Sequence, residues 1–453
     1  MSSAIDAVEE VAVRKAFRRL IGFLALMMFC AVMDRVNVGF AALSMNKDLG
    51  LSSFSFGLGA SLFSLGYMLF EIPSNLMLAR VGARLWFMRI MVTWALLSMA
   101  TSLATGPMSF YVLRFLLGVA EAGLFPGILF FLGCWFPGRV RARTNAVFLI
   151  AMPLGQSLTA LLSGPILEMN GLWGLHGWQW LFILEGLPTL FIGIAAWFYL
   201  SDRPREARWL SPAEQEALEN MVQREKVTLG KLDTSNHLAV FGDRHVVALG
   251  VLYALISIVL TGVPLWLPQI VRTLDLSYAV VGVLVAIPPL LGTLAMVFWG
   301  RSSDRKGERI WHIACAMLTC AVGWLLAVGY LYFGWGGPWL LILGLVVANA
   351  GVLGAIAVFW TLPALILSGT AAASGIAFVS AVGNIGSIIG PIVFGHLRDI
   401  SQGFAGPSAF MMAIAAMAGI FLPALVGVLP KLSQARSKAD RDLQSCAPVA
   451  TKR

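Results

Sequence analysis

Twelve long apolar runs pattern the chain, each closed by a cluster of charged or turn-forming residues. They cover residues 20–43, 54–78, 86–104, 109–132, 144–167, 180–200, 246–270, 279–299, 310–332, 338–360, 371–397 and 408–429. One bilayer crossing takes roughly 20 apolar residues, so each run predicts a membrane-spanning helix. The first run follows Arg14, Lys15, Arg18 and Arg19, a start like that of a secretory leader. It is too long, and no small-residue cleavage site follows, so it reads as a retained span. A polar interval, 201–245, parts the runs six and six. Within it, SPAEQEALENMVQREK predicts a capped amphipathic helix starting at Ser211, read as a solvated linker. The expected organisation is a cytoplasmic segment 1–19, a bundle 20–200, a linker 201–245, a second bundle 246–429 and a tail 430–453.

Composition agrees. Of 453 residues, 58% are apolar and 12% charged, against about 45–50% and 25% in soluble domains. Mean hydropathy is +0.82. This excludes a soluble enzyme, a disordered chain and a coiled coil. With the N-terminus inside, Lys47, Arg272 and Arg398 are the basic residues on the far side. Arg35 and Arg114 lie within spans, and the remaining Lys and Arg gather on one face. Cytoplasmic loops carry that excess, so both termini are expected in the cytoplasm. The net charge of +9 then reads as sidedness, not nucleic-acid binding. Five cysteines at irregular spacing predict neither disulfides nor a metal site. No phosphate loop or dinucleotide fingerprint is present, so no enzymatic activity and no cofactor is expected.

The halves repeat. Gly82, Arg84 and Trp86 recur 225 residues later as Gly307, Arg309 and Trp311, and Gly164-Pro165 recurs as Gly390-Pro391. A fixed offset marks duplicated units. GRSSDRKGER, from Gly300 to Arg309, fits the loop signature of major facilitator transporters. The matching loop of the first half, NLMLARVGAR, keeps Arg80 and Gly82 but carries Ala79 where the acid belongs. MDRVNVGFAAL, FEIPSNLMLARVGAR, RFLLGVAEAGLFPG and GWQWLFILEGLP add detail. Together these segments resemble the anion:cation symporters of that superfamily, which import tartrate, phthalate, hydroxyphenylacetate, hexuronates and galactonate. The resemblance implies an all-α membrane protein with twelve transmembrane helices in two six-helix halves.

A charge at the bilayer centre costs at least ~2.5–3.5 kcal/mol on insertion scales. The first half places Asp34, Arg35, Glu71, Arg114, Glu121 and Glu185 in its spans; the second has no comparable charge. Arg114 and Glu121 are seven apart, on one helix face, about 10 Å along the axis. Gly118, one turn from Arg114, admits a helix or a ligand. Arg35 and Arg114 suit a carboxylate, because a guanidinium presents a planar fork and stays charged. Asp34 and Glu121 suit proton exchange, and family members use acids at these two places. Asp34 with one Arg and Glu121 with the other would also make two structural ion pairs. Arg35 is the immediate neighbour of Asp34, so replacing Asp34 by Asn is expected to disturb substrate binding as well.

Tyr67 reads as a hydrogen-bond donor to substrate or as a core aromatic. Glu71, two residues before Pro73, reads as structural. Glu185, beside Trp178 and Trp180, reads as interfacial. In the second half, Trp360, Ser380 and Asn384 match positions that face the cavity in relatives. Trp360 also suits an aromatic belt, and Asn384 a bond to a neighbouring helix. Sugar-acid carriers tend to have a Tyr and an amide where this chain has Val32 and Met152; Gln156, one turn on, partly substitutes. This favours a less hydroxylated anion, such as an aromatic acid or a small dicarboxylate. Arg80, Gly82, Asp304, Arg305 and Arg309 are expected to gate the cytoplasmic side, with closure leaning on Asp304 because Ala79 lacks a carboxylate.

The functional expectation is proton-coupled import of a small carboxylate by a monomer in a bacterial inner membrane, with the proton as coupling ion, no metal and no nucleic-acid partner. A drug exporter is the alternative, although Gly164-Pro165 lacks the Gly-Gly of the exporter motif. A sensor with a transporter fold is another, although no signalling domain is evident.

Overall fold

The computed structural model describes residues 2–229, 243–366 and 370–426; within these, the side chains of 2–7, 139–150, 225–229, 364–366, 370–374 and 425–426 are not described. The tail 430–453 and much of the second part of the linker fall outside this range. The described residues form helices and no strand. In order they are α1 Ser2–Asp48, α2 Ser53–Val81, α3 Ala83–Ala100, α4 Pro107–Glu121, α5 Leu124–Trp135, α6 Gly138–Leu167, α7 Gly177–Tyr199 and α8 Pro212–Leu229. Then come α9 Arg244–Arg272, α10 Tyr278–Lys306, α11 Ile310–Phe333, α12 Pro338–Phe359, α13 Thr361–Ile366, α14 Thr370–Ser401 and α15 Ala405–Val426.

Among the described residues, eleven stretches are long and apolar enough to cross a membrane, with α4–α5 counted as one and α12 with the start of α13 as another. The predicted fifth span lies in α6. Prolines sit inside α2, α6, α7, α9, α10, α14 and α15. Spanning helices tolerate them because neighbouring groups satisfy the freed backbone. Asn75 illustrates this: its side chain donates to the Glu71 carbonyl at 2.8 Å, close to Pro73.

The chain divides into two compact units: residues 1–232 with 275–283, and 233–274 with 284–453. In the first unit α1 packs on α6 and α7, α2 on α4, and α3 on α7. The α2–α4 crossing explains Gly118. A Cβ there would overlap the Phe63 carbonyl, and one on Gly66 would lie 2.5 Å from the Phe115 carbonyl. Gly118 therefore admits a helix, not a ligand.

The fourth span is not one helix. It breaks after Glu121, where Gly123 takes φ 88° and its missing side chain makes room for Ser74 of α2. An L-residue with a side chain disfavours this left-handed backbone.

Two further expectations change. α1 is helical from Ser2, not only from residue 20. The linker helix α8 begins as expected: Ser211 and Glu214 form a reciprocal capping box, Ser211 N–H donating to Glu214 Oε2 at 2.9 Å and Glu214 N–H to Ser211 Oγ at 3.4 Å. However, α8 is docked, not simply solvated. It packs on α1 and α5, Leu218 belongs to the same buried apolar cluster as Ala12 and Ala16, and Lys15 pairs with Glu214 at 2.5 Å.

In the second unit α11 packs on α12 and α15, and α9 on α14. Trp266 stacks on Phe394 at 4.6 Å between ring centres in its core.

Candidate functional site

Adjacent residues on a helix point about 100° apart, and this separates Asp34 from Arg35. Arg35 leaves α1 toward α4. Its Nε and Nη2 donate to Glu121 Oε1 at 2.9 and 2.7 Å. Glu121 is 1% exposed and Arg35 41%, so the carboxylate is enclosed while the guanidinium keeps an open side. Asp34 turns instead toward α3, where its Oδ1 accepts from Ser98 Oγ. Among the described residues its neighbour Arg35 pairs with Glu121 and not with Asp34. The expected pairing of each acid with one Arg also holds only for Glu121.

Arg114 is 3% exposed. Its guanidinium carbon lies 4.8 Å from the centre of the Phe63 ring, and its Nε and Nη1 have no hydrogen-bond partner among the described residues. Asp34 and Glu121 are the carboxyl groups that act on its charge. Two buried donors without acceptors are costly in an apolar interior. Their polarity suits an anion. Tyr67 presents its ring face, 5.1 Å from the Arg35 guanidinium carbon. It thus holds the cation by cation–π attraction, and it packs against the buried apolar cluster of the first unit as a core aromatic does. Gln156 is half-buried on α6.

Glu185 is enclosed by protein. It is 4% exposed, and its Oε1 accepts from Ser163 Oγ of α6 at 2.7 Å.

In the second unit Trp360, just after α12, meets Tyr253 of α9 edge-on at 4.8 Å, and Tyr253 stacks on Phe359 at 5.1 Å. The Tyr253 ring lies against Gly383 of α14, where any Cβ would overlap it. Asn384 follows directly, and Ser380 is one turn back; both are half-buried. Tyr253 was missed in the sequence. Its one signal there is a hydroxyl-bearing aromatic inside an otherwise apolar run.

The gating residues divide. Gly307 and Gly82 both have positive φ, 62° and 92°, so the repeated backbone turn is real. Asp304 pairs with Arg309 at 2.6 Å, and Arg309 also donates to Ser303 Oγ at 2.8 Å. Arg305 and Arg80 are exposed. The first loop has no carboxylate of its own at Ala79, but one reaches it from elsewhere in the chain. Asp202, beyond α7, stands where a side chain on Gly82 would be, and its Oδ1 accepts from the Arg84 backbone N–H at 2.8 Å. Arg84 in turn donates to the Trp197 carbonyl and covers the Trp197 ring. Asp202 lies 118 residues from Arg84, beyond any local motif.

The sequence profile described as "Major Facilitator Superfamily" matches residues 24–391 and 249–452. The chain belongs to that superfamily. It is a multi-pass membrane transporter, not an enzyme. A protein of Agrobacterium vitis named "Putative tartrate transporter" is 42% identical over 94% of this chain and 93% of its own length. The "Quinolone resistance transporter" of Acinetobacter baumannii is 36% identical over 92% of this chain and 95% of its own. Among solved structures, a D-xylose-proton symporter superposes with a TM-score of 0.71 at 18% identity, covering 90% of this chain and 96% of that one. At that identity it supports the fold alone, which is the twelve-helix major facilitator fold.

Proposed function

We propose that this transporter imports a small organic carboxylate together with protons. The observation that carries the reading is the Arg35–Glu121 pair, a guanidinium open on one side and held on the other by an enclosed carboxylate. A substrate carboxylate competes with Glu121 for the Arg35 fork, and Arg114 supplies the second cation. Once displaced, Glu121 is a buried carboxylate without its bonded cation, a setting that favours proton uptake. Substrate and proton thereby load together. Asp34 is the second proton carrier; Gln156 and Tyr67 of the first unit, and Trp360, Ser380 and Asn384 of the second, are further substrate-binding residues. Arg80, Gly82, Asp304, Arg305 and Arg309 gate the cytoplasmic side. The tartrate-named relative supports a carboxylate, and Val32 and Met152, apolar where sugar-acid carriers tend to have a Tyr and an amide, favour a sparsely hydroxylated one. The setting is a bacterial inner membrane, with cytoplasmic termini and a monomer as the working unit.

One proton carried with a monoanion is electroneutral. One pH unit then supplies ~1.4 kcal/mol, about tenfold accumulation. A second proton adds the same again, and makes the step respond to potential at ~2.3 kcal/mol per 100 mV. Uptake of a carboxylate panel into proteoliposomes with an imposed pH gradient tests this. Accumulation of a carboxylate that collapses with the gradient supports the proposal, and accumulation indifferent to pH overturns the coupling.

The quinolone-resistance relative favours a second reading, proton-driven export. Inside-out and right-side-out vesicles under the same gradient separate the two.

A further inference from the structure

α3 carries a cation on the face it turns away from the protein. Its buried residues Phe87, Met91, Trp94 and Ser98 form one stripe at helical spacing. Arg89 lies four residues after Leu85 and seven before Leu96, so these three share the opposite stripe, and both leucines are exposed. On a membrane-spanning helix such an exposed apolar stripe meets lipid. The Arg89 side chain forms no hydrogen bond or ion pair among the described residues. What holds it is the face of Trp86, whose ring centre is 4.6 Å from the guanidinium carbon. Trp86 is itself fixed, because its Nε1 donates to Ser74 Oγ of α2 at 3.0 Å. Stacking on a ring engages the flat face of a guanidinium and leaves the N–H groups at its edge to donate elsewhere. Arg80, in the last turn of α2, is exposed and also has no ion pair among the described residues. No Asp or Glu occurs from Ile72 to Ala120. Asp202, brought to this turn from beyond α7, bonds the Arg84 backbone N–H, and the Arg84 side chain donates to the Trp197 carbonyl. Arg80 and Arg89 are thus left without a carboxylate partner among the described residues.

We propose that this end of the first unit binds an anionic phospholipid, its phosphate taken by Arg89, with Arg80 nearer the membrane surface. The depth suits a headgroup. Arg89 lies six residues past Ala83, the first residue of α3, or about 9 Å along the axis. A long Arg side chain reaches back from that depth to the headgroup level while its stem stays against apolar surface. An ionised group on the lipid side of a spanning helix is costly without an opposite charge, and on that side lipid is what supplies one. Phosphate oxygens accept two parallel N–H bonds from one guanidinium. The acyl chains lie along Leu96 of α3 and along Ile72 and Leu76 of α2, which are exposed and further from the Gly82 turn. An anionic headgroup fits better than a zwitterionic one, because an ethanolamine ammonium would meet two cations and no acceptor. The site is separate from the substrate region: Ser98, which bonds Asp34, is on the buried stripe of α3. The leaflet is the cytoplasmic one in the orientation proposed above; the site itself depends on neither the orientation nor the substrate.

The test needs no substrate. The full chain, purified in detergent and freed of lipid, is titrated with phosphatidylglycerol or phosphatidylethanolamine, and binding of the first lipid is read by native mass spectrometry. Phosphatidylglycerol should bind the wild type more tightly than phosphatidylethanolamine. Arg89→Gln should weaken phosphatidylglycerol about fivefold, the contribution of one cation at an anionic surface, and leave phosphatidylethanolamine as it was. Arg301→Gln removes an exposed Arg of the second unit and should change neither. Equal weakening by Arg301→Gln would mean general surface charge and overturn the proposal, as would equal affinity of the wild type for the two lipids. Inorganic phosphate that displaces phosphatidylglycerol would make this a site for soluble anions and overturn it too. Unchanged phosphatidylglycerol binding in Arg89→Gln overturns it as well; a dimer lost in that variant would then assign the face to a second copy. If Arg89→Gln fails to fold, the wild type decides alone. A photoreactive phosphatidylglycerol should label the segment from Leu85 to Leu96, and labelling that omits this segment overturns the proposal. Failure of pH-driven carboxylate uptake, with these lipid measurements intact, would remove the transport reading and leave the lipid site standing.

Discussion

Arg35 of α1 gives two hydrogen bonds to a single oxygen of Glu121 on α4, at 2.9 and 2.7 Å. The second oxygen of Glu121 has no partner among the described residues. Arg35→Lys keeps the charge but offers one point donor in place of the fork. A charge-assisted hydrogen bond is worth roughly 1.5–3 kcal/mol, about tenfold or more in transport. Initial uptake rates at matched protein levels check this, and near-wild-type uptake would take Arg35 out of the binding site.

Glu121→Gln imitates the protonated acid. It should still bind substrate and exchange it across the membrane, yet fail to accumulate it against a gradient. Counterflow and pH-driven uptake in the same proteoliposomes separate these. Asp34→Asn is expected to leave substrate affinity closer to wild type than a direct contact with Arg35 would allow, because Asp34 faces Ser98.

Gly118→Ala should destabilise the first unit, because a methyl group there overlaps the Phe63 carbonyl. Overpacking of this kind costs about 1–3 kcal/mol. Gly22 has nothing within 4 Å of its would-be Cβ, so Gly22→Ala is the matched control. It should be neutral or slightly stabilising. Thermal unfolding in detergent reads both.

Asp202→Ala removes the carboxylate from the N-terminus of α3. It should cost about 1 kcal/mol and raise the labelling of a cysteine placed at Ala83, which is buried beside it. Asp304→Asn should instead loosen the Arg309 turn and leave that label unchanged. Equal labelling in the two variants would mean that the loops are not independent.

The α8–α1 contact should weaken in acid. The hydrogen bond from Lys15 holds the Glu214 carboxyl below the usual carboxylate range, and the Ser211 N–H adds to this. A carboxyl lowered by folding contributes stability above its unfolded value and loses it as pH falls through the lowered one. Hydrogen exchange in α8 should therefore rise as pH drops below the ordinary carboxylate range, and Glu214→Gln should abolish that rise.

Much of this was legible in the chain. Runs of about 20 apolar residues, the sidedness of Lys and Arg, and the Gly82/Gly307 repeat determine twelve spans and a duplicated fold, because the bilayer demands hydrogen-bonded helices of set length. Expensive intramembrane charges marked Asp34, Arg35, Arg114 and Glu121 for the same reason. Partner choice was not legible. Asp34 and Arg35 are neighbours in sequence but turn to different helices, and Asp202 serves a loop more than a hundred residues away. The break at Gly123 and the burial of Glu185 were hidden too. They depend on what α2 and α6 bring alongside, and helix packing in a bilayer is decided by close fit between surfaces that are all apolar. The sequence by itself determined which residues need a polar partner; the tertiary structure decided which partner each one has.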